Sequence, residues 1–249
     1  RQTSPWLLLL TLGLLVVVLM PGVGRIVNGS QRWIPLGPLT FQPSEFAKFA
    51  MVLWLAGYMV RHGEELRSAL RGLLKPIAVL VFFAGLLLME PDFGTTVILL
   101  GTAFGMLFMG GARLINVLGL VSAALAILVG MIVMAPYRMK RLMAYQDPWS
   151  DPFGSGFQLI QSLIAYGRGE WFGVGLGNSI QKLFYLPEAH TDFVFSIWAE
   201  ETGLVGAVAV IVLFAAFVGR IVFMGYRSLA EKREFESYVC FGFALIFAG

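Results

Sequence analysis

The sequence predicts an all-α, polytopic integral membrane helix bundle, and three observations carry that prediction. Hydrophobic residues make up 58% of the chain and charged ones only 13%, where soluble domains hold about a quarter charged residues. Leu114–Ala135 contains no charged residue, and at a rise of 1.5 Å per residue it is long enough to cross the ~30 Å of bilayer hydrocarbon. The apolar runs are continuous rather than alternating. Because backbone polar groups must be satisfied within lipid, continuity selects helices over barrel strands.

In chain order the expected spans are Trp6–Met20, Phe46–Val60, Pro76–Met89, Phe93–Met109, Leu114–Ala135 and Phe193–Gly219, with a last one opening near Tyr238. The second is introduced by Pro43, which suits the first position of a helix, and by Glu45, whose charge suits its first turn. The fourth follows the tight turn Glu90-Pro91-Asp92, where Asp92 fits as an N-cap. The sixth holds no charges other than Glu200 and Glu201. The connection 136–192 is far longer than the usual handful of residues and reads as a large extracytoplasmic loop within one transmembrane domain, 1–249. Inside it, 157–177 begins with helical apolar spacing at Leu159, Ile160, Leu163 and Ile164, then turns to Gly and Trp. That pattern predicts an interfacial or re-entrant helix, or else an ordered loop folded back over the bundle. Its "GVGLG" (173–177) offers backbone N–H groups to a phosphate but lacks a strand–loop–helix setting. The sequence opens at Arg1 without a Met or a signal-peptide layout and stops inside an apolar run at Gly249, so a fragment of a longer chain is expected.

The single cysteine, Cys240, excludes an intramolecular disulfide and a cysteine-based metal site. A net charge of +3 and a pI near 9.1 do not indicate nucleic acid, because the basic residues sit in loops between spans. Those loops alternate. One set is short and basic: Arg1, 61–75, 110–113 and 227–234. The other holds 21–43, the turn 90–92 and the long loop 136–192. Short basic loops remain cytoplasmic, so the long loop and Asp192 at its end are expected to face outward.

Ionisable residues near lipid are expensive and call for a reason. Glu45 and Lys48, three residues apart, either neutralise one another at a helix end or place a cation over an anionic ligand. Asp92 is a helix cap or a cavity group. Arg25, Arg32, Arg138, Lys140, Arg141, Arg168 and Lys182 fall in the outward loops, where the inside rule does not explain them. An anionic partner does: a pyrophosphate or lipid headgroups. Asp192, Ser196 and Glu200 follow one another at helical i+4 steps, with Glu200 roughly 12 Å deeper. Asp192 could cap that helix, and Glu200 with Glu201 could form a buried pair satisfied by another helix.

Three stretches in order, "RWIPLGPLTFQPSEFAKF" (32–49), "EPDFGT" (90–95) and "GNSIQKLFYLPEAHTDFVFSIWAEETG" (177–203), resemble the SEDS family of bacterial shape, elongation, division and sporulation proteins. The last is closer to the division branch than to the elongation branch. The resemblance covers essentially the whole chain. It implies a bundle of ten transmembrane helices in the complete protein, about seven of them seen wholly or partly here. It also implies a peptidoglycan glycosyltransferase of the cytoplasmic membrane that polymerises lipid II at the division septum, with its site facing the periplasm. Asp192 matches the family's essential aspartate; Glu45, Lys48 and Asp92 match polar residues around its central cavity; Arg32 matches a basic residue of the preceding loop. Glu90 stands where many relatives carry Gln, and "SIWAEETG" departs from a commoner "GEELG" ending. The partner implied is a class B penicillin-binding protein, the division transpeptidase FtsI, among other membrane proteins of the division machinery.

The diphosphate of lipid II is already a good leaving group, so it needs charge neutralisation more than a proton, and the second carboxylate of a glycosidase is unnecessary. One carboxylate then suffices as general base on the acceptor 4-hydroxyl in an inverting transfer, and Asp192 is the residue expected to serve. Arg32, Lys48, Arg138, Lys140, Arg141 and Lys182 are expected to meet the departing charge, with Glu200 and Glu201 as further cavity groups. A divalent cation, Mg2+ or Mn2+, is the alternative carrier, and Asp192 would then be its ligand. No organic cofactor is implied. A lipid II flippase needs the same cavity without the base. A non-catalytic division scaffold would use a helix-packing face such as Gly101 and Gly105.

Overall fold

A computed structural model describes residues 3–27, 30–37, 39–68, 70–182 and 191–249. The chain divides into two compact units, Arg1–Ser122 with Val218–Gly249, and Ala123–Phe217.

In the first unit α1 (Ser4–Leu19) leads into three short strands, β1 (Arg25–Val27), β2 (Ser30–Leu36) and β3 (Leu39–Phe41). Helices α2 (Pro43–Ser68), α3 (Arg71–Met89) and α4 (Phe93–Met109) follow, then the start of α5 (Leu114–Val133), the end of α8 (Val194–Ala230) and α9 (Glu234–Ala248). Helix α2 is the central post, packed against α1, α3, α4 and α9. Its Ala47, Ala50, Leu55 and Ala56 are fully buried, and such small residues let neighbouring backbones approach closely. Phe83, Leu87, Leu99 and Met106 fill the space beside it. Helix α2 kinks at His62, whose φ and ψ of −126° and 28° are not helical, and the His62 ring stacks on Tyr58 with centroids 4.5 Å apart.

Each expected span corresponds to a helix: α1, α2, α3, α4, α5, α8 and α9. Arg71–Met89, Leu114–Val133 and Val194–Ala230 are long and apolar enough to cross a membrane, and Ser4–Leu19 and Phe93–Met109 are shorter apolar helices. In α5 only Val117 is buried, and its leucines and isoleucines lie open, as a lipid-facing surface requires. Gly105 of the expected packing face is already used within the chain: a Cβ there would lie 2.7 Å from a Leu245 methyl, whereas Gly101 has nothing within 4 Å.

Segment 21–43, expected as a plain loop, carries a small antiparallel sheet in the order β1-β2-β3, with Arg25 opposite Trp33 and Ile34 opposite Phe41. Its strands are too short to show periodicity.

The second unit holds the end of α5, then α6 (Pro136–Gln146), a 3-10 turn at Pro148–Ser150, α7 (Phe157–Gly169) and the start of α8. The stretch 157–177 is therefore helical only in its first part. Glu170 (φ 44°) ends α7, and Gly173, Gly175 and Gly177 continue in positive-φ conformations that glycine tolerates.

Candidate active site

Helix α8 is broken at Gly203, where φ is 70° and ψ is −169°. A break frees backbone groups that must find partners, and here the stretch after α7 supplies them. Leu204 N donates to Glu170 O at 2.8 Å and Val205 N to Trp171 O at 3.1 Å. From the other side, Val174 N donates to Glu200 O at 3.0 Å and Gly175 N to Glu201 O at 3.1 Å. The "GVGLG" stretch thus spends these amides on the gap in α8, and the phosphate-cradle reading gives way to an ordered segment folded back onto its own helix.

The side chains beside the break extend this staple. Glu200 is fully buried. Its Oε1 accepts from Arg168 Nη1 at 3.0 Å and from Ile180 N at 3.4 Å; its Oε2 accepts from the Ser179 hydroxyl and from Gln181 N at 3.4 Å. Glu201 accepts from Lys182 Nζ at 2.8 Å and Ser179 N at 3.4 Å. A buried carboxylate is tolerated only with such a shell of donors. Glu200 and Glu201 therefore fasten residues 179–182 to α8, as the reading of a pair satisfied by a neighbouring segment anticipated.

Asp192 lies in the turn Thr191–Phe193 just before α8 and is exposed. Ser196 N and Ile197 N both bond to Phe193 O, so the helix opens on that carbonyl. Among the described residues nothing hydrogen-bonds the Asp192 carboxylate, and the expected N-cap is not formed by its side chain. Along the face from Asp192 through Ser196 to Glu200, exposure falls from open to 2% and then 0%. The outermost carboxylate is free to meet a ligand while the inner one is consumed in structure. The "LFYLPEAH" stretch of the motif, 183–190, lies outside the described residues.

In the first unit, Asp92 caps α4 by accepting from Thr95 N at 3.2 Å, and Thr96 Oγ1 donates to Asp92 O at 2.7 Å. Its other oxygen accepts from Ser44 Oγ at 3.0 Å and Gln42 Nε2 at 3.4 Å. Arg32 lies 3.7 Å from the same carboxylate and also donates from Nε to Glu90 O at 3.2 Å and from Nη2 to Ser30 Oγ and Pro91 O. Strand β2 is thereby clamped onto the turn between α3 and α4. Glu90 in that turn is fully buried with neither oxygen hydrogen-bonded among the described residues. Burial, reinforced by the Asp92 charge and opposed by Arg32, pushes its carboxyl up to about 8.

The family of cell cycle proteins of the FtsW/RodA/SpoVE type matches residues 1–249. The chain belongs to that family. It is 53% identical to the "Probable peptidoglycan glycosyltransferase FtsW" of Marinomonas mediterranea, over 96% of this chain and 59% of that one. It is 52% identical to the protein of the same name from Pseudomonas fluorescens, over 100% and 61%. The chain thus spans about three fifths of these relatives. Among solved structures, it matches a chain of a peptidoglycan synthase complex described as coordinating polymerization and crosslinking, with a TM-score of 0.75 and 34% identity over 98% of this chain and 67% of that one. The rod shape determining protein RodA of Thermus thermophilus matches with a TM-score of 0.64 and 28% identity over 98% and 62%.

The remaining expected site residues of this FtsW/RodA/SpoVE-family chain have partners of their own. Lys48 pairs with Glu45 at 2.9 Å, with side-chain exposures of 10% and 52%. Arg138 donates to Tyr137 Oη at 2.8 Å and to Met131 O at 3.2 Å. Lys140 lies 3.4 Å from Asp151, whose carboxyl the Ser155 amide and hydroxyl, then Lys140, hold below its ordinary range. Arg141 lies in α6, and its side chain is outside the description. Among the described residues no three His, Cys, Asp or Glu side chains form a metal-holding group. Sequence reasoning counted Arg168 among the outward cations awaiting an anionic partner and assigned no role to Ser179. The only available signal was that a buried Glu200 requires donors.

Proposed function

We propose that the chain is the membrane core of a peptidoglycan glycosyltransferase that polymerises lipid II, with Asp192 as the general base of an inverting transfer. The observation that carries this reading is the exposed Asp192 at the head of α8, without a hydrogen-bond partner among the described residues, in a chain half identical over nearly its whole length to proteins named as such enzymes. An aspartate free of structural duty is available to take a proton from the acceptor 4-hydroxyl as that oxygen attacks the donor's anomeric carbon. The diphosphate leaves with its own negative charge and needs only cationic neighbours. Arg32, Lys48, Arg138, Lys140, Arg141 and Lys182 are the proposed sources, each through exchange of its present partner where one is described. The half-exposed Glu45 can turn to water when Lys48 exchanges it for the diphosphate.

The site is proposed to face the outside of the cytoplasmic membrane at the division septum. Its proposed partner is a crosslinking class B penicillin-binding protein, the transpeptidase FtsI, by analogy with the synthase complex that this fold resembles. Reconstitution with fluorescent lipid II tests the reading. Polymer without flipping supports it, and flipping without polymer replaces it with a transporter. Polymerisation that survives exhaustive chelation removes the cation from the scheme, and loss restored by Mg2+ or Mn2+ makes Asp192 a candidate ligand.

A further inference from the structure

We infer that Glu200 is a positioning residue for Asp192, tying both ends of the loop that carries the base to one buried carboxylate. This rests on the proposed glycosyltransferase reading. Residues 179–181 enter that loop, and α8 leaves it. Glu200 belongs to α8, eight residues beyond Asp192, and its two oxygens hold Ser179, Ile180 and Gln181. Arg168, from the last turn of α7, supplies the counter-charge at 3.0 Å. Glu201 repeats the device on the neighbouring side through Lys182.

The position of Glu200 matters because it is fully buried while Asp192 is exposed. An exposed carboxylate holds an acceptor hydroxyl at attack distance only if the backbone on either side of it is fixed. Pinning both ends of its loop at one charged point fixes it, and misplacement of a reacting group by ~1 Å can cost about 100-fold in rate. Glutamine at this site keeps the shape but loses the negative charge. Its amide nitrogen then faces the donors of Arg168 and of the 179–181 segment, and the clamp slackens without emptying the core. The predicted signature is kinetic. The transition state loses alignment, whereas lipid II binding, made elsewhere along the substrate, is retained.

The test uses the full-length protein in detergent or nanodiscs with purified lipid II, comparing wild type, Asp192→Asn, Glu200→Gln and Ser179→Ala. Glu200→Gln is expected to lower kcat by about 10- to 100-fold with KM held within about twofold. Its melting temperature should fall, because Arg168 and the 179–181 segment lose their charged acceptor, but the loss in kcat should persist per folded molecule, and the shape of its pH profile should be unchanged, since the base is still Asp192. Ser179→Ala, which removes one donor, should move kcat the same way by less, and it decides the matter if Glu200→Gln does not fold. Folded variants with wild-type kcat overturn the inference. So does a loss of activity that only tracks the unfolded fraction or appears in KM alone, which would make Glu200 a packing residue. An inactive wild type overturns the glycosyltransferase reading, an active Asp192→Asn overturns the assignment of Asp192 as its base, and either removes the inference with it.

Discussion

Gly203 and Gly173 lie where two backbones touch: a Cβ on Gly203 would run into Gly173 N, and a Cβ on Gly173 would run into Glu201 O. Both take positive φ, 70° and 80°. The gap in α8 exists because two glycines thirty residues apart in sequence let two backbones touch, and the hydrogen bonds of 170–175 then replace those the helix lost.

Gly203→Ala should therefore destabilise the protein by more than the ~1–3 kcal/mol that a non-glycine residue costs in such a backbone region, because the clash adds to the strain. Gly101→Ala, where nothing lies within 4 Å, should be neutral or stabilising by up to about 1 kcal/mol. Thermal unfolding of both variants in one detergent checks the contrast, and equal melting temperatures would contradict the close approach.

Arg32 is expected to matter for stability first. Arg32→Ala strips the Glu90 and Pro91 carbonyls and the Asp92 carboxylate of one shared donor, at a cost of about 1.5–3 kcal/mol. Asp92→Ala, which removes the α4 cap and the Ser44 contact, should cost about 0.5–2 kcal/mol. Because the two touch, the double variant should cost less than the sum of the singles, and strict additivity would contradict the clamp.

Glu90 gives a pH dependence with a definite sign. Its folded pKa of about 8 lies above the ordinary 4.5, so the folded state holds a proton that the unfolded state releases between those values. Stability should fall as pH rises from about 4.5 to about 8 and level off above that. Glu90→Gln should remove this slope, matching wild type near pH 4.5 and exceeding it near pH 9. Parallel slopes for the two proteins would show that Glu90 is ionised throughout. A protonated Glu90 has the shape and charge of a glutamine.

The spans were legible because lipid imposes a one-dimensional signal: Leu114–Val133 reads as a helix from composition alone. Asp92 as a cap and Lys48 with Glu45 were legible because their partners are three residues away. The break in α8 was not. Gly203 stands between the polar Glu200-Glu201-Thr202 and a long apolar run, and nothing in either names Gly173 as its mate. Arg168 and Lys182 looked like free cations awaiting an anion because their partners, Glu200 and Glu201, are far along the chain. The same pairing engaged Arg168 and Lys182 of the expected basic set, and left Asp192 as the exposed carboxylate of its own helix face.

Polymerisation of purified lipid II by the full-length Asp192→Asn variant tests the central claim most directly. Asparagine is nearly isosteric, and the side chain it replaces has no hydrogen-bond partner among the described residues, so folding and membrane insertion should match wild type. The account predicts a folded, inserted protein that makes no glycan strands. Strands formed at the wild-type rate would contradict it.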